Sequence, residues 1–399
     1  MTAKTSAKPN SGKARASKAT AGPAAPAPAA PEPAPTAPQR PAAASAADPD
    51  LVRRIADQVD RTIRRGISGV DYIASPAPSV GPTPKDVIFK RGTVNLYHYR
   101  PMADEIYRVP VLIVMATSNR GYILDLAPGQ SFVEFLLRQG YDVYMLDWTP
   151  PKPEERFLTL ADYTQRFIPE CVRHVQETSG VEDVSVLGYC MGGVLSVIYA
   201  ATHPAGPLKN LVCFTTPIDW SRMELFSKWS DPKYFDVDRL VETLGNVPSE
   251  MIFTSFEMLR PATRLAGRLQ LMQNLENEAY VKSFRIFDRW SNDTLPLAGE
   301  YFRETIKELS WGNKLFTNEL VVGGRRADLA NITAPLLSVV AEHDHIIPYD
   351  AAKVLARNVG STDREEIVLK GGHVSVVAGA NAQKRLWPKL DAWLGGRSV

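Results

Sequence analysis

Glycines flanking a single cysteine constrain this chain more than any other feature: Gly188-Tyr189-Cys190-Met191-Gly192, with Gly193 directly after. The motif stands between the strand-like run Val184–Leu187 and the helix-like run Val194–Ala201. A strand that turns at once into a helix needs glycines where side chains would collide, and the turn pushes its central side chain into the cleft. The helix N-terminus behind Cys190 favours a thiolate over a thiol. The backbone N–H of Met191 then becomes one donor of an oxyanion hole. The plain alternative is a buried cysteine acting as a small apolar residue beside packing glycines. Cys171 and Cys213 lack such flanks and are read as packing residues, one on a helical stretch and one within a strand. Three cysteines without regular spacing suggest neither a disulfide framework nor a zinc site, and a reducing cytoplasm suits them.

The runs around the motif set the fold class. Val111–Ala116, Val143–Leu146, Val184–Leu187, Leu211–Phe214 and Leu336–Val340 are rich in Val, Ile and Leu, as strands buried on both faces of a parallel sheet are. Helical candidates such as Ser131–Gln139 and Ala161–Glu177 separate the early ones. Alternating strands and helices predict βαβ units and an α/β fold. Ahead of them, Asp86–Phe89 and Thr93–Tyr99 flank Lys90-Arg91-Gly92 as two strands joined by a tight turn. The alternation lapses between about 221 and 328, where helix-like segments carry Trp229, Phe253, Phe256, Trp290 and Phe302. A helical cap, or lid, over the site is expected there; a helical subdomain with its own core is the alternative.

A nucleophile requires a base, and a base requires a group that orients it. Of six histidines, His98 lies in an early strand, His174 on a helix and His203 before Pro204, leaving His343, His345 and His373. His373 follows Gly371-Gly372 just after the strand-like Ile367–Leu369, a loop position from which a ring can reach the elbow. Asp344 comes just beyond the run Leu336–Val340, with Glu342 and Asp350 as rivals and a turn or helix-cap role as the alternative. Nucleophile, acid and histidine in that order are the order of the α/β-hydrolase fold. The expected triad is Cys190, His373 and Asp344.

The ends and the charge narrow the rest. Residues 1–47 are mostly Ala, Pro, Lys and Ser and carry six basic groups against Glu32, a charge of +5 that leaves −3 on the remainder of a net +2. Such a segment cannot bury enough surface to offset its ordering entropy, and a disordered basic tail is expected. It reads as a solubilising tail or as an arm that touches polyanions or a partner. The near-neutral body has no nucleic-acid-binding signature. No apolar stretch reaches the length of a membrane span, and no apolar core follows the basic N-terminus as in a secretory signal. Residues 48–399 are expected to form the catalytic domain, opening on an amphipathic helix through Val52, Ile55, Val59 and Ile63.

From about Gly66 to Leu394 the chain resembles polyhydroxyalkanoate synthases, nearest to the short catalytic subunits of the class III type that work with a second, smaller subunit. The likeness rests on Val80–Val87, Leu96–Pro101, Asn119–Leu126, Leu146-Asp147-Trp148, the Cys190 elbow, Thr216–Asp219, Trp290–Asp293, Asp344-His345-Ile346 and Gly372-His373-Val374. The resemblance implies that Cys190 is the acylated thiol and His373 its general base. It implies that Asp344 orients the histidine or helps activate the incoming hydroxyl, and that the Ser118-Asn119 stretch gives the second oxyanion N–H. It further implies polymerisation of 3-hydroxyacyl-CoA, 3-hydroxybutyryl-CoA foremost, with release of CoA and no cofactor or metal. The expected partners are the growing polyester and an accessory subunit, in a homodimer or hetero-oligomer; the expected location is the cytoplasm at the surface of polyester granules. Met191 stands where short-type members often have Gln, and the basic tail has no counterpart among them. Two other readings are a hydrolase with the same triad, either a polyester depolymerase or a thioesterase, and a non-catalytic granule-associated relative. Cys in place of Ser, with the run Asn119–Leu126, favours the synthase.

Overall fold

The apolar runs separated by helices assemble into one eight-stranded sheet. The computed structural model describes residues 75–399 apart from Arg260, together with scattered helical positions between Asp50 and Ala74. The tail expected over 1–47 lies outside the described residues, as do Val52, Ile55 and Ile63 of the expected first helix. The unit Gln58–Val399 contains the whole sheet.

Its strands are β1 (Lys85–Arg91), β2 (Val94–Tyr99), β3 (Val111–Val114), β4 (Val143–Trp148), β5 (Val184–Tyr189), β6 (Leu208–Phe214), β9 (Leu336–Ala341) and β10 (Arg364–Leu369). A short hairpin, β7 (Val321–Val322) and β8 (Arg325–Arg326), stands apart. The sheet runs in the order β1-β2-β4-β3-β5-β6-β9-β10. In this sheet only β2 runs against its neighbours; β4, β3, β5, β6, β9 and β10 are mutually parallel. β3, β5 and β9 are buried along their whole length, as the unbroken Val/Ile/Leu runs demand when helices cover both faces. The C-terminal ends of parallel strands gather the loops at one edge, where open α/β sheets place their sites.

The expected helix over Ser131–Gln139 forms at Phe132–Arg138, with Ser131 Oγ accepting from the Glu134 amide as its cap. The stretch Ala161–Glu177 is two pieces, a π-helical segment Asp162–Phe167 and the α-helix Ile168–Ser179. Pro169 has no N–H to donate to a continuous α-helical ladder, and it sits in the first turn of the second piece, where none is needed.

Between β6 and β9 the chain forms the helices Glu224–Trp229, Val237–Leu244, Ser249–Leu259, Pro261–Gln273, Glu278–Asn292 and Gly299–Glu304. Their apolar residues Met223, Ile252, Ile286, Trp290, Leu297 and Tyr301 join the same core as the sheet. Only Val237, Val241 and Ile306 form a small cluster of their own. The insertion is packed onto the sheet rather than built around a separate core.

Asp125 explains why two distant sequence runs belong together. Its carboxylate is fully buried and accepts from Thr83 Oγ1 at 2.7 Å, from the Thr83 amide at 3.1 Å and from Ser131 Oγ at 2.8 Å. Lys85 Nζ stands 3.9 Å away. Replacing Asp125 by Ala strands two buried hydroxyls and should cost about 3 kcal/mol of unfolding free energy. Urea denaturation checks this; a loss under about 1 kcal/mol would remove Asp125 as the anchor of the Val80–Val87 segment.

Candidate active site

Cys190 sits at the end of β5 with φ 55° and ψ −118°, a conformation that L residues rarely adopt. Non-glycine backbone in such a region costs of order 1–3 kcal/mol and persists only where the surroundings hold it. They do so here. The Cys190 amide donates to the Phe214 carbonyl at 2.9 Å, and its own carbonyl accepts from Val194 at 3.2 Å. A Cβ on Gly188 would lie 2.5 Å from Gly193 Cα, one on Gly192 would strike the Val114 carbonyl, and one on Gly193 the Thr216 hydroxyl. Only bare backbone lets the helix Met191–Thr202 start this close to β3 and β6.

His373 begins a short 3-10 turn, Val374–Val376, after Gly371-Gly372. Its Nδ1 lies 2.7 Å from Asp344 Oδ2, and the ring lines one cavity with Cys190. Asp344 Oδ1 accepts from the amides of Ile346 at 2.8 Å and Ile347 at 2.9 Å, so its carboxylate is fixed on both oxygens. The two loops are tied to each other: His343 N donates to the Gly371 carbonyl at 2.9 Å and Glu342 N to Leu369 at 2.8 Å. Cys190, His373 and Asp344 are all buried, at 9%, 5% and 7% exposure. Burial opposes a charged imidazole at His373, but the charges of Asp344 and Cys190 and the hydrogen bond to Asp344 outweigh it. The net result is a pKa well above the ordinary histidine value, about 10.

The rivals lie elsewhere. Glu342 and Asp350 are exposed, and Asp350 pairs with Lys353. His98 bonds Asp142 at 2.7 Å, His174 stacks on Phe89 and His203 Nδ1 faces the Tyr199 carbonyl. Burial raises the thiol of Cys171, and that of Cys213 to about 12, which keeps both protonated and unreactive.

Met191 and Ser118 line one cavity with Cys190. The Met191 N–H is the first of the helix and has no partner within it. Ser118 is held by its carbonyl, which accepts from Leu295 N at 2.8 Å, and by a bridge between Asn119 and Thr294. Trp290 Nε1 donates to the Arg120 carbonyl at 3.0 Å, and Tyr122 donates to Asp293 at 3.0 Å. The runs Asn119–Leu126 and Trp290–Asp293 are thus two sides of one contact that fixes the Ser118 loop. A member of this site absent from the sequence-based set is Tyr301. Its hydroxyl lies 3.1 Å from Thr117 Oγ1, and both residues line the Cys190 cavity. No local pattern marks Tyr301; only the tertiary fold brings it to β3.

Two hollows meet at Cys190. One, of about 120 Å3, is walled by apolar residues such as Trp220, Phe226, Leu297 and Phe302. The other, of about 360 Å3, is more polar and includes Asn119, Glu257, Ser291, His345 and His373. Among the described residues no group of three or more His, Cys, Asp or Glu could hold a metal ion.

The chain is similar to known proteins in sequence and in fold. Residues 123–380 fit the family model of the alpha/beta hydrolase fold, and residues 77–136 fit that of the poly-beta-hydroxybutyrate polymerase (PhaC) N-terminus. The chain is 36% identical over 352 residues to the poly(3-hydroxyalkanoate) polymerase subunit PhaC of Haloferax mediterranei, spanning 88% of this chain and 71% of that one. The chain belongs to the poly(3-hydroxyalkanoate) polymerase (PhaC) family. The subunit of the same name from Allochromatium vinosum is 35% identical, over 86% of this chain and 96% of its own, which agrees with the short type expected from the motifs. A putative lipase from Sulfolobus solfataricus shares the fold, with a TM-score of 0.50 at 16% identity over 79% of this chain and 99% of its own.

The ion pair makes stability depend on pH in a definite direction. A histidine raised in the folded state contributes stability that is complete below its unfolded value, 6.5, and is lost as pH climbs through its folded value, about 10. Asp344→Asn removes the largest raising influence. The melting-temperature gap between wild type and Asp344→Asn should therefore be widest near pH 6 and shrink toward pH 10. A gap that stays constant across that range contradicts the charged pair.

Proposed function

We propose that this chain polymerises 3-hydroxyacyl-CoA, with 3-hydroxybutyryl-CoA as the leading substrate, through an acyl group held on Cys190. The observation that carries the reading is a cysteine at a strained strand-to-helix turn, sharing a cavity with a buried His373–Asp344 pair, in a member of the PhaC family.

The chemistry follows from the side chains. The Cys190 thiolate attacks the substrate carbonyl; a new C–S bond forms, the C–S bond to CoA breaks, and the CoA thiolate takes the proton held by His373. The exchange of one thioester for another is close to isoenergetic. The developing oxyanion meets the Met191 and Ser118 amides. The 3-hydroxyl of the next acyl group, or of the chain end, then gives its proton to His373 and attacks the acyl-Cys190 carbonyl. The ester C–O bond forms and the Cys190 thiolate leaves, so each monomer added releases one CoA. Asp344 orients the imidazole or assists the incoming hydroxyl. Water competing for the acyl-Cys190 would yield free hydroxy acid, and the apolar walls under the insertion favour the hydroxyl over water.

The relatives from Haloferax mediterranei and Allochromatium vinosum are named as subunits, and an accessory subunit is accordingly part of the proposal. So is a place at the surface of polyester granules. No helix of the described residues is long and apolar enough to cross a membrane.

Purified protein given 3-hydroxybutyryl-CoA, alone and with a candidate accessory subunit, should release CoA and form polymer. Free hydroxy acid as the sole product would instead identify a hydrolase. Cys190→Ala should lower CoA release by at least about 1,000-fold while melting like wild type, because little volume is lost. Cys171→Ala and Cys213→Ala should retain most activity. Near-normal turnover in Cys190→Ala would overturn the nucleophile.

A second test separates the two half-reactions. His373→Gln should abolish acylation of Cys190, whereas Asp344→Asn should still acylate but elongate slowly if its main work is on the hydroxyl. Rapid-quench measurement of CoA released in the first turnover and in later turnovers checks this. Equal loss of both phases in the two variants would make Asp344 purely an orienting group.

A further inference from the structure

The 120 Å3 cavity at Cys190 does not end in solid core. Adjoining it is a second apolar hollow of about 440 Å3, more open to solvent, away from the triad and bounded by Phe235, Met251 and the exposed Met258 among others. Phe226, Trp229, Ile252, Ser255, Phe302 and Ile306 line both, so these side chains are the partition between them. They come from separate elements: Phe226 and Trp229 from Glu224–Trp229, Ile252 and Ser255 from Ser249–Leu259, Phe302 from Gly299–Glu304 and Ile306 from the π-helical turn Thr305–Trp311.

The size of the first cavity is informative. An apolar cavity of about 150 Å3 accepts benzene, with its six carbon atoms, so one of 120 Å3 takes about five heavy atoms. The thioester carbonyl itself would sit between Cys190 and the Met191 and Ser118 amides at the cavity mouth. Beyond that carbonyl, a four-carbon 3-hydroxyacyl group fits the space, and an eight-carbon one runs into the partition. The Thr117–Tyr301 hydroxyl pair lines this cavity, as do Ser255 and Thr305, and it is placed where a 3-hydroxyl of a short acyl group can hydrogen-bond.

We propose that the partition made by Phe226, Ile252 and Phe302 sets the acyl chain length: the inner cavity admits short 3-hydroxyacyl groups, and the adjoining hollow is space that a longer alkyl tail would occupy if the partition were opened. The proposal rests on the polymerase reading of Cys190 and adds what decides its substrate. A methylene excluded from or admitted to such a pocket changes discrimination by about 10- to 200-fold.

The test compares kcat/KM for CoA release from 3-hydroxyoctanoyl-CoA and 3-hydroxybutyryl-CoA in wild type, Phe302→Ala and Ile252→Ala. Phe302→Ala removes the ring between the two hollows and should raise the octanoyl-to-butyryl ratio by at least about tenfold. Ile252→Ala opens the partition from the opposite helix and should shift the ratio the same way by less, and it decides the matter if Phe302→Ala does not fold. The proposal is overturned if wild type uses both substrates equally well, or if folded variants keep the wild-type ratio. A wild-type chain that releases CoA from neither substrate, alone and with the candidate accessory subunit, overturns the polymerase reading, and the partition's role falls with it.

Discussion

The close approach of the helix Met191–Thr202 to β3 and β6 governs everything else in this molecule. Gly188, Gly192 and Gly193 have no room for a Cβ against Gly193, the Val114 carbonyl and the Thr216 hydroxyl respectively. That contact forces Cys190 into its strained conformation and turns its thiol toward the cavities. It also brings the first N–H of the helix beside the thiol, where a partial positive charge is most useful. Without the contact there would be a strand and a helix but no thiol turned into the cavities.

The second constraint is the way the insertion is fastened. Arg120 and Tyr122 hold Asp293, Trp290 holds the Arg120 carbonyl, and Ser118 accepts from Leu295. Each bond joins the loop after β3 to the end of the helix Glu278–Asn292 or the residues just after it, within the insertion. The same residues that fix the loop beside Cys190 therefore fix the apolar walls above it. One set of hydrogen bonds thus ties together two distant sequence runs that carry the family likeness.

Much of this was legible in the sequence because it depends on local rules. The glycines around Cys190, the buried Val/Ile/Leu strands and the loop position of His373 after Gly371-Gly372 each have a short-range cause. The strands came out where the apolar runs lie, with shifted ends: β6 begins at Leu208 rather than Leu211, β4 continues to Trp148, and β3 stops at Val114 rather than Ala116. Asp344 was expected over its rivals Glu342 and Asp350 from its place after the strand and the order of the motifs, and its burial and its contact with His373 set it apart from them in the fold. Tyr301 and the partition around Phe302 were invisible because they depend on how separate helices of the insertion cross one another. The π-helical segments Asp162–Phe167 and Thr305–Trp311 were missed for a related reason: their extra residue per turn is imposed by tertiary packing rather than by propensity.

The central claim is that the growing acyl group is covalently attached to one thiol among three. Limiting 3-hydroxybutyryl-CoA, acid quench within the first turnover, proteolysis and mass spectrometry would locate that attachment. The account predicts a 3-hydroxybutyryl adduct on the peptide containing Cys190, released by hydroxylamine as a thioester is, with the peptides of Cys171 and Cys213 unmodified. CoA release accompanied by an adduct on either other cysteine, or by none on Cys190, would contradict it.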